Sequence, residues 1–344
     1  MEFIELIKGG VAAHASDIHL AANNRPAYRI NGSMCFLDAP VLTSAEVEDM
    51  IHHCLSDEKY ETFRKTGDMD ASAQIPGCGR FRVNAMLQTR GATLVLRIIN
   101  AVTPEIASLG LPQSIERVLE LKEGLVLVTG PTGSGKSTTL AAIIHEFNKT
   151  RSSHIITIED PIEYLHEPIH CLINQREIGE DSVSYARALK AALREDPDII
   201  LVGEMRDLES ISIAVTAAET GHLVLSTLHT IGAAKTIDRL IDVFPPEQQQ
   251  QIRAQLSLVL KSVISQRLLP TADGKGRAAA FEMMFVNSAI SNLIREGRTA
   301  NISQSIQTGM SQGMITLEKS IDELLRRGII TPQTASEYNI DLNR

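Results

Sequence analysis

The chain has 344 residues, 43% of them hydrophobic and 22% charged, with a formal net charge of −9. Such a length exceeds what one compact core of ordinary size requires, so two domains are expected. The acidic balance speaks against a surface built mainly to hold nucleic acid, and no apolar run reaches the ~18 residues needed to cross a bilayer.

The first hundred residues mix helical and strand-like pieces. The opening MEFIELIKGG carries Glu2 and Glu5 and no basic lead, which makes it a poor signal peptide and points to the cytoplasm. Phe3, Ile4, Leu6, Ile7 and Val11 form an amphipathic stretch, after which SDIHLAA and AYRINGSMCFL read as strands about an Asn31–Gly32 turn. TSAEVEDMIHHCL reads as a helix capped by Thr43 or Ser44, with Glu46 or Glu48 in its first turn. GRFRVNAML and TLVLRII alternate as two strands joined through Gln88–Gly91. Alternation sets Arg80, Arg82 and Asn84 on the face opposite Phe81, Val83 and Ala85. Four scattered cysteines (Cys35, Cys54, Cys78 and Cys171) form no CxxC pair, so neither a zinc site nor a disulfide framework is suggested.

AVTPEIASLGLP has the Pro/Gly punctuation of a connection, and the texture changes after it. GLVLVTG, HIITI, DIILVG and HLVLST are short and apolar throughout, the pattern of strands buried on both faces of a parallel sheet. From about 243 the reading is helical, through EQQQQIRAQLSLVLKSVISQRLL, SAISNLIREGR and TLEKSIDELLRRG. The expected organisation is therefore a first domain over 1–100, a linker over 101–112, an α/β core over 113–270 and a C-terminal helical region over 271–344.

GLVLVTGPTGSGKSTTLAAIIHEF carries the clearest chemistry. Gly130, Gly135, Lys136 and Ser137 fit G-x-x-x-x-G-K-[ST] between a buried strand and an amphipathic helix, the context that a phosphate-binding P-loop requires. Glycines let backbone N–H groups converge on phosphate oxygens, and the helix starting near Lys136 points its positive end at them. Gly130, Thr132, Gly133, Ser134, Gly135, Lys136, Ser137 and Thr138 are the candidate contacts to a nucleoside triphosphate. Lys136 is placed to reach the β- and γ-phosphates and Ser137 to coordinate Mg²⁺.

Ligands of doubly wound sheets sit beyond the carboxyl ends of the strands. There HIITI delivers Glu159, Asp160 and Glu163, DIILVG delivers Glu204, and LVLST delivers His229. Asp160, ahead of Pro161, is either a turn cap or a functional acid, and Glu163 either a solvated loop acid or part of the site. Glu204 is the candidate to hold Mg²⁺ or polarise the attacking water. An extended strand rises ~3.3 Å per residue, so His222 and His229 stand about 20 Å apart and cannot share a metal ion. His229 falls at the phosphate end. His222 falls at the far end, where a hydrogen-bonded structural role is the better reading.

In order, GPTGSGKSTT, ITIEDPIE, ALREDPDIILVGEMRD, TAAETGHLVLSTLHT and KTIDRLIDVFP resemble the type II/IV secretion ATPases, and within them the pilus-retraction type. The resemblance begins at ASDIHL and includes GRFRVN. It implies a PAS-like first domain, a RecA-like second domain, and a homo-hexamer with ATP between neighbours. It makes Glu204 the Walker B glutamate, sets Glu159, Asp160 and Glu163 in an acidic box, and sets His222 and His229 in a histidine box. Arg82 and Arg97 match the arginine pair of the family that completes the site. The implied partner is a pilus platform protein of the inner membrane, which would hold the ATPase peripherally at the cytoplasmic face.

Assembly and secretion motors of the family are usually longer and often carry a tetracysteine insertion. Here about 110 residues precede the core and CxxC is absent, which favours the retraction type over an assembly or secretion motor, while the acidic balance speaks against a nucleic-acid translocase. SAISNLIREGR resembles the retraction motif AIRNLIRE but has Ser291 where arginine is usual.

Overall fold

The computed structural model describes residues 2–30, 32–99 and 103–342, with Asn31 of the expected turn outside them. The chain divides into two compact units, Met1–Val102 and Thr103–Arg344. Among the described residues each unit is built on one sheet, and the two sheets bury themselves in different ways.

The first unit runs α1 (Phe3–Ala12), β1 (Asp17–Ala21), β2 (Ala27–Ile30), β3 (Ser33–Phe36), α2 (Ser44–Cys54), α3 (Asp57–Thr66), β4 (Asp68–Ile75), β5 (Gly79–Gln88) and β6 (Gly91–Ile99). Its strands form a six-stranded sheet of order β3-β2-β1-β6-β5-β4, antiparallel at every pairing. Thr43 caps α2, accepting from the Glu46 amide while Glu46 accepts from the Thr43 amide, which completes a capping box. Gly67 ends α3 in the left-handed region at φ 87°, a conformation glycine adopts without strain. Leu6, Ile7, Val47, Ile51 and Phe63 from the helices pack with Ile18, Leu20, Phe81, Val83, Leu94 and Leu96 from one face of the sheet. Neither α3 nor β4 stands among the expected elements.

The second unit contains α4 (Glu116–Leu119), β7 (Gly124–Thr129), α5 (Lys136–Thr150), β8 (His154–Glu159), β9 (Leu172–Glu177), α6 (Tyr185–Ala192), β10 (Ile199–Val202), α7 (Leu208–Glu219), β11 (Leu223–Leu228) and α8 (Ala233–Asp242). It continues with α9 (Pro246–Val259), β12 (Leu260–Pro270), β13 (Arg277–Phe285), α10 (Ser288–Arg295), α11 (Ile302–Thr308), α12 (Leu317–Arg326) and α13 (Pro332–Leu342). The seven-stranded sheet has the order β13-β12-β7-β11-β10-β8-β9, parallel except for the β12–β13 pairing. Every residue of β7, β10 and β11 is buried, as runs apolar at every position demand when helices cover both faces.

The helical reading of residues 247–269 fails at Val259. Ile252, Leu256 and Val259 keep helical spacing on the buried face of α9, but Leu260 turns to extended backbone and β12 pairs in parallel with β7. Nothing between Leu256 and Leu269 is a glycine or proline, so helix passes into strand with no punctuation in the sequence. The expected end of the core at 270 falls between the two strands of a hairpin. Residues 277–285, expected to be helical, are the edge strand β13. The amphipathic helix α12 packs on that hairpin, where Leu317 and Ile321 meet Leu269 and Ala280. No helix of the described residues is long and apolar enough to cross a membrane.

Candidate nucleotide-binding site

The P-loop joins β7 to α5 and is shaped by left-handed glycines, with Gly133 at φ 76° and Gly135 at φ 89°. Gly130 is required for space, because a Cβ there would lie 2.3 Å from the Gln266 carbonyl oxygen. Gly135 stands at the N-cap of α5, and no side chain caps that helix, so its first amides are left to a ligand. Lys136 is 9% exposed and donates from Nζ to the Gly130 and Pro131 carbonyls at 3.0 and 3.1 Å. Burial lowers the pKa of its ammonium, while Glu204 and Glu163 oppose the shift. The Thr129 and Ser134 hydroxyls are buried beside this loop without a hydrogen-bond partner. A 15-residue helix without a side-chain cap, a caged lysine and unpartnered hydroxyls together fit a polyphosphate.

The strand ends bring three expected residues together around the loop. Glu204 follows β10, where its carboxylate accepts from Arg206 at 2.7 Å and pairs with His229 Nε2 at 3.3 Å. His229, at the end of β11, faces the Thr132 hydroxyl of the P-loop through Nδ1 at 3.5 Å. The imidazole thus spans the space from Glu204 to the loop. Burial alone would raise the Glu204 carboxyl, but Arg206 and His229 outweigh it and hold its pKa below the ordinary value, so it is ionised at neutral pH.

Glu163 lies on the loop after β8 and is felt by both Lys136 and Glu159. Glu159 ends β8 and accepts from the Thr157 hydroxyl at 2.7 Å and from Gln175 at 3.4 Å. Burial nevertheless pushes its pKa up to about 7. Thr138, the last of the expected contacts, meets the Tyr164 hydroxyl at 3.1 Å. At the other end of β11, His222 Nδ1 lies 3.0 Å from the Ala217 carbonyl and 3.1 Å from the Thr220 hydroxyl, which satisfies it locally.

Arg82 and Arg97 belong to the first unit. They are direct cross-strand partners in β5 and β6, on the face away from the hydrophobic core. Like charges placed opposite one another repel. Each is answered by an acid of its own sheet: Asp70 accepts from Arg82 at 2.5 and 3.0 Å, and Asp17 accepts from Arg97 Nε at 2.8 Å. Asp17 is in turn opposite Arg29, so one register line across the sheet reads Arg82, Arg97, Asp17, Arg29.

One site residue has no counterpart among the sequence expectations. Gln266 of β12 is 2% exposed, donates from Nε2 to the Ser134 carbonyl at 2.6 Å and accepts from the Thr139 hydroxyl at 2.9 Å. It ties the P-loop to the first turn of α5. The available signal was an amide inside the apolar run SVISQRLL, since a buried polar side chain must find partners.

The chain is similar to known proteins over almost its whole length. A family profile described as type II/IV secretion system protein matches residues 4–309. The type IV pilus retraction ATPase PilT of Pseudomonas aeruginosa is 49% identical over 98% of each chain. A twitching motility protein of Neisseria gonorrhoeae is 47% identical over 90% of this chain and 83% of its own. A crystal structure of the pilus retraction motor PilT with bound ADP superposes with a TM-score of 0.92 at 46% identity, covering 98% of this chain and 96% of that one. With matches that specific over almost its whole length, the chain belongs to the type II/IV secretion ATPase family.

Proposed function

We propose that this protein is a motor ATPase that hydrolyses ATP to ADP and phosphate and uses the energy to retract type IV pili. The observation that carries the reading is the meeting of Glu204, His229 and Thr132 at the mouth of the P-loop, above a buried Lys136. In this reading the loop amides and Lys136 bind the β- and γ-phosphates, and Lys136 exchanges its two carbonyl partners for phosphate oxygens. Glu204 orients the attacking water and accepts its proton. His229, between Glu204 and Thr132, registers whether a γ-phosphate is present. Mg²⁺ bound with the nucleotide would neutralise charge on the β- and γ-oxygens, and Ser137 is the ligand this chain offers it, with Glu204 acting through water. Glu163 adds a second carboxylate to the same rim.

The proposal includes a homo-hexamer in which Arg82 and Arg97 complete the site of a neighbouring subunit, a PAS-like first domain and a RecA-like second one. It places the ring at the cytoplasmic face of the inner membrane, docked on a pilus platform protein. The deciding experiment is a deletion strain scored for surface pili alongside phosphate release by the purified protein. Excess pili and ATP-dependent release are expected. Loss of pili would identify an assembly motor, and stimulation of release by DNA would favour a translocase.

A further inference from the structure

The β12–β13 hairpin carries a buried carboxylate that the chemistry above does not use. Glu282 of β13 is 9% exposed and stands directly opposite Ser265 of β12. These two side chains take consecutive amides from the loop that follows β11. The Gly232 N–H donates to Ser265 Oγ at 2.9 Å, and the Ala233 N–H donates to Glu282 Oε1 at 2.7 Å. Gly232 lies in the left-handed region at φ 87° and gives α8 no side-chain cap, so that helix takes its cap from a neighbouring strand.

The amide of Leu317, the first residue of α12, is close enough to the same carboxylate to ease the cost of its burial. Two further contacts hold that segment along β13: the Met283–Ile315 bridge, and the Phe281 N–H donating to Ser320 Oγ at 3.0 Å. One strand therefore meets the starts of two helices, with the Glu282 carboxylate bonded to the first and facing the second. The first of these helices, α8, begins four residues after His229, the residue that reaches Glu204 and Thr132.

We propose that Glu282 is a positioning residue: it sets where His229 stands at the P-loop and, through β13, ties that loop to the start of α12. The inference rests on the nucleotide-site reading above. A helix start is stabilised by a carboxylate at its end, so a carboxylate shared by two helix starts makes displacement of one costly to the other. A shift of the His229 loop when phosphate leaves is thereby passed to α12.

The test uses the full-length protein and Glu282→Gln, which keeps the shape but gives up the negative charge and one of the two acceptor oxygens that face the helix starts. The expected result is a kcat lower by about 10-fold with nucleotide affinity held within about 2-fold. Hydrogen exchange, measured without nucleotide, should speed up at residues 230–236 and 317–321 together. Ser265→Ala, a milder change, should speed exchange at 230–236 alone. Faster exchange at only one segment in Glu282→Gln, an unchanged kcat, or equal losses in kcat and affinity would overturn the inference. Wild-type protein that releases no phosphate would instead strike the proposed function, and the exchange measurement stands apart from it.

Discussion

The two sheets of this molecule make opposite use of their faces. In the first unit helices cover one face, and the other is left for side chains, so Arg82 and Arg97 sit within their strands, in line with Asp17 and Arg29. In the second unit helices lie over both faces, and β7, β10 and β11 are buried along their length, with the unpartnered Thr129 hydroxyl at the end of β7 beside the P-loop. Chemistry there is confined to strand ends, where Lys136, Glu204 and His229 gather. A sheet with one open face can present charge anywhere along a strand, whereas a sheet covered on both sides can present it only at its rim.

The comparison breaks first at the open face, where the largest effect is expected. If Arg97 acts on a γ-phosphate, Arg97→Ala should cut turnover about 10³-fold and leave nucleotide binding intact, as measured by phosphate release and fluorescent-ATP titration. Mixed rings of Arg97→Ala and Lys136→Ala subunits should regain activity; rings that stay silent would remove the arginine from a neighbour's site. At the rim, Glu204→Gln should lower kcat about 10²-fold while ATP still binds, and turnover equal to wild type would end its assignment as base.

Two smaller effects sharpen the contrast. Phe81 is fully buried on the covered face of the first sheet, so Phe81→Ala should destabilise that unit by about 3–5 kcal/mol in denaturant unfolding. Arg80→Ala, on the same strand but the open face, should cost far less. The smallest effect concerns Asp17. Burial would raise its carboxyl, but hydrogen bonds from Arg97 and Ser16 hold it below its ordinary value of 3.8. A depressed folded-state pKa stabilises above the unfolded value and loses that contribution as pH falls through the folded one. Wild-type stability should therefore drop below pH 3.8, and Asp17→Asn should flatten that acid limb in thermal melts followed against pH.

Much of the second unit was legible in the sequence, because the physics is local. Strands buried on both faces are apolar at every position, and the P-loop glycines state their own conformational requirement. The cap of α2 was narrowed to Thr43 or Ser44 with Glu46 or Glu48, and the structure pairs Thr43 with Glu46. The β12–β13 hairpin was not, because LSLVLKSVISQRLL offers no breaker at Val259 and an apolar run of that length suits helix or strand. With β12 misread, Gln266 had no strand to sit on and its reach to Ser134 was invisible. Glu282 was hidden in the same way, although an acid inside AFEMMF is itself a sign of a partner elsewhere in the fold. The departure at Ser291 has a local account: its hydroxyl donates to the Ser257 carbonyl at 2.6 Å and fastens α10 to the end of α9.

The strand order places β12 next to β7, so the segment after Val259 supplies one of the two ladders that hold the phosphate-binding strand in place. A deletion that stops at the end of α9 would strip the P-loop strand of its neighbour on that side and expose its edge to solvent and to other chains. The C-terminal quarter of this protein is thus no removable tail. Any attempt to isolate a minimal catalytic fragment has to carry both strands of the hairpin with it, however far they lie from Lys136 in the gene.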